Sequence, residues 1–136
     1  MLVVDASAVT ELLLGRAAGE PVAAALREHD FDLHAPHLLD VEVLSALRRV
    51  VAAGAATPTR AAEAVADLLD LPLQRYAHEN LVPRIWELRE SFSAYDATYL
   101  ALAEVIAQDG APLLTADARL ARAASEHTGV EVILAA

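Results

Sequence analysis

Short apolar runs alternate along the chain with longer stretches whose apolar residues recur at helical spacing. Leu2-Val3-Val4 is the first short run. It has no polar alternation, which reads as a strand buried on both faces in a parallel sheet, and it leads straight into Asp5. From Ala8 to Leu14, Val9, Leu12 and Leu13 share one helical side, and Gly15 is a stop signal. Pro21 suits the first turn of a second helix running to about His29, with Val22, Ala25 and Leu26 as its apolar side. Phe31 to Ala35 reads as a short strand ending before Pro36. Leu38 to Ala53, closed by Gly54, is a helix with a stripe of Leu39, Val43, Ala46, Leu47 and Val50, widened by Val41, Leu44 and Val51.

Thr57-Pro58 opens another helix, to about Leu69, with Ala62, Val65, Ala66 and Leu69 on one face. Leu71 to Tyr76 is a candidate strand that Pro72 confines to a sheet edge or to a start after the proline. A helix from about Glu79 to Glu90 must place Pro83 in its first turn or begin later. Ser93 to Glu104 is helical, and Asp96 lies above Leu100, Ala103 and Ala107 at the head of its apolar face. Pro112 to Asp117 repeats the opening pattern of apolar strand and then carboxylate, followed by a helix containing Leu120 and Ala123. Val130 to Leu134 is the last strand.

Strands alternating with helices predict an α/β fold, with helices covering both faces of a mostly parallel sheet. Right-handed crossovers then bring strand ends of like direction to one edge. Asp5 and Asp117 belong at the carboxyl edge, where open α/β sheets bind ligands. Glu42 and Asp96 sit in first turns of helices that can point at the same edge.

The 136 residues suit one domain with one core, and 56% apolar content is enough to fill it. No apolar run is long enough for a membrane span, no basic segment precedes an apolar one at the N-terminus, and there is no cysteine. These features are expected of a cytoplasmic protein. The formal charge is −10, and all 10 basic residues are arginine. That balance excludes broad electrostatic capture of nucleic acid. It is compatible with negative charge gathered at a metal site or offered to a basic protein partner.

Each acid also has an ordinary structural role. Asp5 can cap the helix that follows it. Glu42 can be a solvated acid favoured by its helix dipole. Ser93-x-x-Asp96 fits a capping box, with Asp96 reaching back to the backbone of Ser93. Ligand and cap are not exclusive. Gathered together, however, four carboxylates repel, and a hard cation removes the conflict. Oxygen-only ligands favour Mg²⁺, or Mn²⁺, over Zn²⁺. An ion or ion pair held this way suits phosphodiester hydrolysis. Glu42, Ser45 and Arg49 form the polar line of their helix, and Arg49 reads better as a solvated residue than as a phosphate contact. His34 and His37 bracket Pro36 and read as surface polar residues, while Trp86, Tyr95 and Tyr99 read as core packing before base stacking.

Four motifs in order resemble the PIN-domain ribonucleases, in particular the toxins of VapBC-type toxin–antitoxin modules. They are Val4-Asp5-Ala6-Ser7, Pro36 to Glu42, Tyr95 to Ala103, and Leu114-Thr115-Ala116-Asp117-Ala118-Arg119-Leu120. The resemblance covers essentially the whole chain. It implies a three-layer α/β/α sandwich over residues 1–136, divalent-metal-dependent endoribonuclease activity, a cognate antitoxin and a toxin homodimer within larger toxin–antitoxin assemblies. It makes Asp5, Glu42, Asp96 and Asp117 the catalytic and metal-site acids, with Ser7 and Thr115 as supporting hydroxyls. Two other classes compete with this expectation. One is a catalytically silent PIN-like module that only binds protein, which the complete set of acids disfavours. The other is a phosphatase or phospho-acceptor domain with Asp5 as nucleophile. Ser7 stands where such a phosphatase needs a second Asp, and a receiver-like domain would need a lysine that the chain lacks.

Overall fold

The computed structural model describes residues 1–136, with five strands and seven helices. Strands β1 (Leu2–Val4), β2 (Leu33–Pro36), β3 (Leu73–Tyr76), β4 (Leu113–Thr115) and β5 (Val132–Leu134) form one sheet in the order β3-β2-β1-β4-β5. All four pairings are parallel. From β1 the chain moves outward through β2 to β3, then crosses back to β4 on the other side of β1. The gap between β1 and β4 is therefore the topological switch point, where the carboxyl ends of neighbouring strands leave a crevice.

The helices are α1 (Ala6–Leu14), α2 (Gly19–Glu28), α3 (Leu38–Ala52), α4 (Pro58–Asp70), α5 (Val82–Glu87), α6 (Ala94–Val105) and α7 (Ala118–His127). Helix α1 packs on α2, α3 and α4, while α5 packs on α6 and α6 lies along β1 and β2. Right-handed crossovers assign α1 to α4 to one face of the sheet and α5 to α7 to the other, giving the three-layer sandwich. The core runs through both layers, from Leu2, Val3 and Val4 to Leu39, Val43 and Leu47 on α3 and to Tyr99, Leu100 and Leu102 on α6. No helix is long and apolar enough to cross a membrane.

Local chemistry explains most element boundaries. Gly15 ends α1 at φ 63°, a left-handed conformation that glycine adopts without strain. At Gly19 a Cβ would come within 2.9 Å of the Glu11 carbonyl oxygen, so the α1–α2 corner requires a residue without one. Thr57 caps α4 and Pro58 occupies its first turn. Pro83 lies in the first turn of α5, because a single 3-10 turn (Glu79–Leu81) takes up the chain before it. Strand β3 begins after Pro72 and is an edge strand.

The last strand starts at Val132 rather than Val130, the helix containing Pro83 ends at Glu87 rather than near Glu90, and five further departures stand out. Phe31 lies outside β2, in a turn with Asp30 where both residues have positive φ. The buried side of α4 is Ala64 and Leu68, and Leu69 is exposed, so the helix is rotated by about one residue from the expected face. Val41 and Leu44 do not widen the buried stripe of α3 but face solvent. Trp86 and Tyr95 are exposed as well, with the Arg89 guanidinium 4.5 Å from the Trp86 ring centroid. His34 is buried: one ring nitrogen is 2.6 Å from the Tyr76 hydroxyl and the other 2.7 Å from Asp32, which also pairs with the N-terminal ammonium.

Candidate metal centre

Asp5 follows the last residue of β1, and Asp117 follows β4 by two residues, so both stand at the switch point. The backbone N–H of Asp5 donates to the Leu114 carbonyl at 3.1 Å, tying the two strand ends together. Both acids also cap helices. Asp5 Oδ1 accepts from the Ala8 N–H at 3.0 Å, and Asp117 Oδ1 accepts from the N–H groups of Arg119 and Leu120 at 2.9 and 3.2 Å. The cap role and the place at the strand end thus coexist in the same residues.

A hydroxyl network joins them. Ser7 Oγ donates to Asp5 Oδ1 at 2.7 Å, and Thr115 Oγ1 donates to Asp5 Oδ2 at 2.5 Å. The backbone N–H of Ala116 donates to Ser7 Oγ, and that of Asp117 donates to Thr115 Oγ1. Ser7 and Thr115 are 3.1 Å apart. Each of the two supporting hydroxyls therefore accepts from a backbone N–H of the turn after β4 and donates to Asp5.

Glu42 and Asp96 enter from the two helical layers. Glu42 lies one turn into α3 and is half-buried, and its Oε1 accepts from the Tyr99 hydroxyl at 2.6 Å. Asp96 lies in the first turn of α6, one turn before Tyr99. Its N–H donates to Ser93 Oγ, but its carboxylate does not return to Ser93, so only half of the expected capping box forms. The carboxylate turns instead to Arg119, whose Nη2 is 3.2 Å from Asp96 Oδ2 and 3.2 Å from Asp117 Oδ2.

The charges register one another. Burial raises the Asp5 carboxyl to about 6; its three hydrogen bonds oppose the shift and the Asp96 charge adds to it. Burial likewise raises Glu42, with the Tyr99 bond opposing, the Asp96 charge adding and Arg49 holding it down. The Tyr99 hydroxyl is pushed far above its ordinary range, first by burial and then by the Glu42 carboxylate it serves. Thr115 thus links Asp5 to Asp117 and Arg119 links Asp117 to Asp96, while Glu42, hydrogen-bonded to Tyr99, senses Asp96 through charge alone. No three acidic or histidine side chains, however, are drawn together as a finished ligand set. Arg119 engages two of the four.

The donor set fits a hard cation. It is all carboxylate oxygen with hydroxyls behind it, it carries more negative than positive charge, and a positive group already contacts two of its carboxylates. Asp5, Glu42, Asp96 and Asp117 are the residues that could hold such an ion. Tyr99 and Arg119 were not singled out as site residues by the sequence. Tyr99 was read as core, which its burial bears out, but its hydroxyl serves Glu42. The available signal for Arg119 was its spacing, two residues past a helix-capping acid.

The family model described as PIN domain matches residues 2–126. Ribonuclease VapC12 of Mycobacterium tuberculosis is 36% identical over 133 residues, spanning 98% of this chain and 99% of its own length. Ribonuclease VapC9 of the same organism is 38% identical over 133 residues, spanning 98% of each chain. Ribonuclease VapC1 is 42% identical over 122 residues, spanning 89% of each. The crystal structure of PAE2754 from Pyrobaculum aerophilum superposes with a TM-score of 0.70 at 23% identity, over 96% of this chain and 81% of that one, which supports the fold. The chain belongs to the PIN domain family.

Proposed function

From this membership we propose that the chain is a metal-dependent endoribonuclease toxin, held in check by a cognate antitoxin, with residues 1–136 acting as one PIN-like domain. The observation that carries the reading is the placement of Asp5 and Asp117 at the switch point, with Asp96 tied to Asp117 through Arg119, in a chain related to VapC ribonucleases over nearly its full length. The acids would hold Mg²⁺, with Mn²⁺ as a substitute. When bound, such an ion activates water and offsets charge on the scissile phosphate of RNA.

The chain's own residues supply the rest. Ser7, Thr115 and the Ala8 N–H fix the Asp5 carboxylate in one orientation, so an ion entering the site meets a preset ligand. Tyr99 holds Glu42 against repulsion from Asp96. The caps on α1 and α7 keep Asp5 and Asp117 at the ends of two hydrogen-bonded strands.

Partners follow the same reading. An apolar groove beside the acids is lined by Leu38, Val41, Val82, Ile85, Trp86 and Tyr95, and this face supports pairing of two copies as a homodimer. Exposed Leu44 on α3 and Leu69 on α4 support an apolar docking strip for the antitoxin, whose basic groups would meet a chain of net charge −10. A cytoplasmic location fits an RNA substrate.

Purified chain should cut RNA in Mg²⁺, stop when the ion is chelated and resume when it is restored. Asp5→Asn should cut under none of these conditions. Cleavage that persists in chelator would remove the metal from the reading. No cleavage of any RNA under any condition would favour the silent protein-binding module.

A further inference from the structure

We propose that Arg119 is a tethered counter-cation of the acid site, a positioning residue that bridges Asp96 and Asp117 until a divalent ion displaces it. The proposal rests on the metal-site reading above and adds a competitor built into the chain.

One nitrogen makes both contacts: Nη2 of Arg119 lies 3.2 Å from Asp96 Oδ2 and 3.2 Å from Asp117 Oδ2. These oxygens come from different elements, the first turn of α6 and the turn between β4 and α7. A single positive group therefore spans the gap that an ion shared by the two acids would span. Asp117 has no spare oxygen with which to avoid the contest, because Oδ1 is committed to two backbone N–H groups at the start of α7. Its Oδ2 is the oxygen left for a cation, and Arg119 holds it.

The backbone places the competitor. Arg119 donates its own N–H to the cap carboxylate, and its side chain returns over the same residue, so its reach is set by the turn that presents Asp117. The side chain is 70% exposed, so the pairing is made largely in water and gives way to an ion that binds the same oxygens. Without metal the guanidinium keeps two like charges together; with metal it swings out.

The test is Mg²⁺ and Mn²⁺ binding to the full chain without RNA, by calorimetry and by the rise in thermal midpoint with ion concentration. Three proteins are compared: the unchanged chain, Arg119→Gln, and Arg122→Gln, which removes an exposed charge from the same helix. If Arg119 competes through an exposed pair, its removal should tighten ion binding by about two- to six-fold. Arg122→Gln should leave affinity near that of the unchanged chain, and added salt should shrink the difference made by Arg119→Gln. In the unchanged chain, the Arg119 Nε–H resonance should shift as Mg²⁺ is added, which keeps the proposal testable should the variant fold poorly. Equal or weaker binding by Arg119→Gln, an equal effect of Arg122→Gln, or a resonance indifferent to Mg²⁺ would overturn it. Binding by Arg119→Gln alone would support it in its strongest form. Binding by none of the three would remove the metal site and this proposal together, whereas binding by all three with equal affinity would remove this proposal alone.

Discussion

Asp5→Asn should stabilise the metal-free protein at neutral pH while abolishing RNA cleavage. The Asp5 side chain is buried at the end of β1, and burial raises its carboxyl from 3.8 to about 6. The folded state thus holds a proton that the unfolded chain has released between these two values, so stability falls as pH rises through that window. At 1.36 kcal/mol per pH unit, the rise from 3.8 to about 6 means that at pH 7.5 the buried charge costs about 3 kcal/mol. The amide carries no charge and can keep the network closed. Its oxygen accepts from Ser7 Oγ and the Ala8 N–H, its nitrogen donates to Thr115 Oγ1, and the Thr115 hydroxyl turns to Ser7 Oγ, 3.1 Å away. Thermal unfolding in chelator from pH 3.5 to 8 should show the variant about 10 °C more stable at pH 7.5, with the difference vanishing below pH 4. Saturating Mg²⁺ should stabilise the unchanged chain and leave the variant nearly unmoved. A variant that is less stable at pH 7.5, or a difference independent of pH, would refute the claim that an unpaired buried charge is stored at this position.

Asp96→Asn should also abolish cleavage, but with a thermal midpoint within about 2 °C of the unchanged chain, because its carboxylate caps nothing and faces an exposed arginine. A loss of stability near 1 kcal/mol with cleavage intact would return Asp96 to the role of helix cap. Tyr99→Phe keeps the buried ring but leaves Glu42 without its donor; it should cost about 1–2 kcal/mol and weaken Mn²⁺ binding by calorimetry, and unchanged binding would detach Glu42 from the ion. Hydrogen exchange with the antitoxin bound should show new protection within residues 38–69, and its absence there would remove the proposed docking strip. Association with the antitoxin should slow as salt is added, chiefly through the on-rate, given the net charge of −10, and a salt-independent on-rate would exclude a basic partner.

Strands β1, β4 and β5 were legible because each is a short, mainly apolar run. Leu2-Val3-Val4 and Leu113-Leu114 have no polar alternation, as central parallel strands require, and Pro72 marked the edge. Helix faces were legible only where the apolar stripe is narrow. On α4, alanines lie all round the helix and leave the phase free by a residue, so Leu68 rather than Leu69 was the one buried. On α3, Val41 and Leu44 are apolar without being core, and Trp86 on α5 is likewise exposed. Hydrophobicity alone does not separate a core position from a surface that another chain could cover. His34 was misread for the opposite reason: a polar residue is stable inside β2 because Asp32 and Tyr76 satisfy both ring nitrogens, and Tyr76 is distant in sequence.

The proposed site acids have a local signature for a reason that also limits what it reveals. A strand that ends in Asp and opens a helix needs that Asp as a cap whatever else it does, and Asp5 and Asp117 both cap. Capping consumes one oxygen of Asp117 and leaves the other for a cation, here Arg119, so a helix start is an economical place to present a carboxylate to the edge of a sheet. The local rule that makes the motif visible in a sequence therefore also fixes the orientation of the carboxylate in the site. The missing information is nonlocal: Thr115 reaches Asp5 across 110 residues, Tyr99 reaches Glu42 across 57, and Arg119 reaches Asp96 across 23. None of these partners has a signature at its own position, because a threonine at a strand end, a tyrosine on a buried helix and an arginine in a first turn are all ordinary there. They acquire their meaning from β1 and β4 lying side by side, and that adjacency follows from the crossover that creates the switch point. The acids are thus set by local chain chemistry, while the groups that tune their charge are set by topology. Substitutions of Ser7, Thr115, Tyr99 and Arg119 should accordingly change ion affinity and carboxylate titration with the acids still in place.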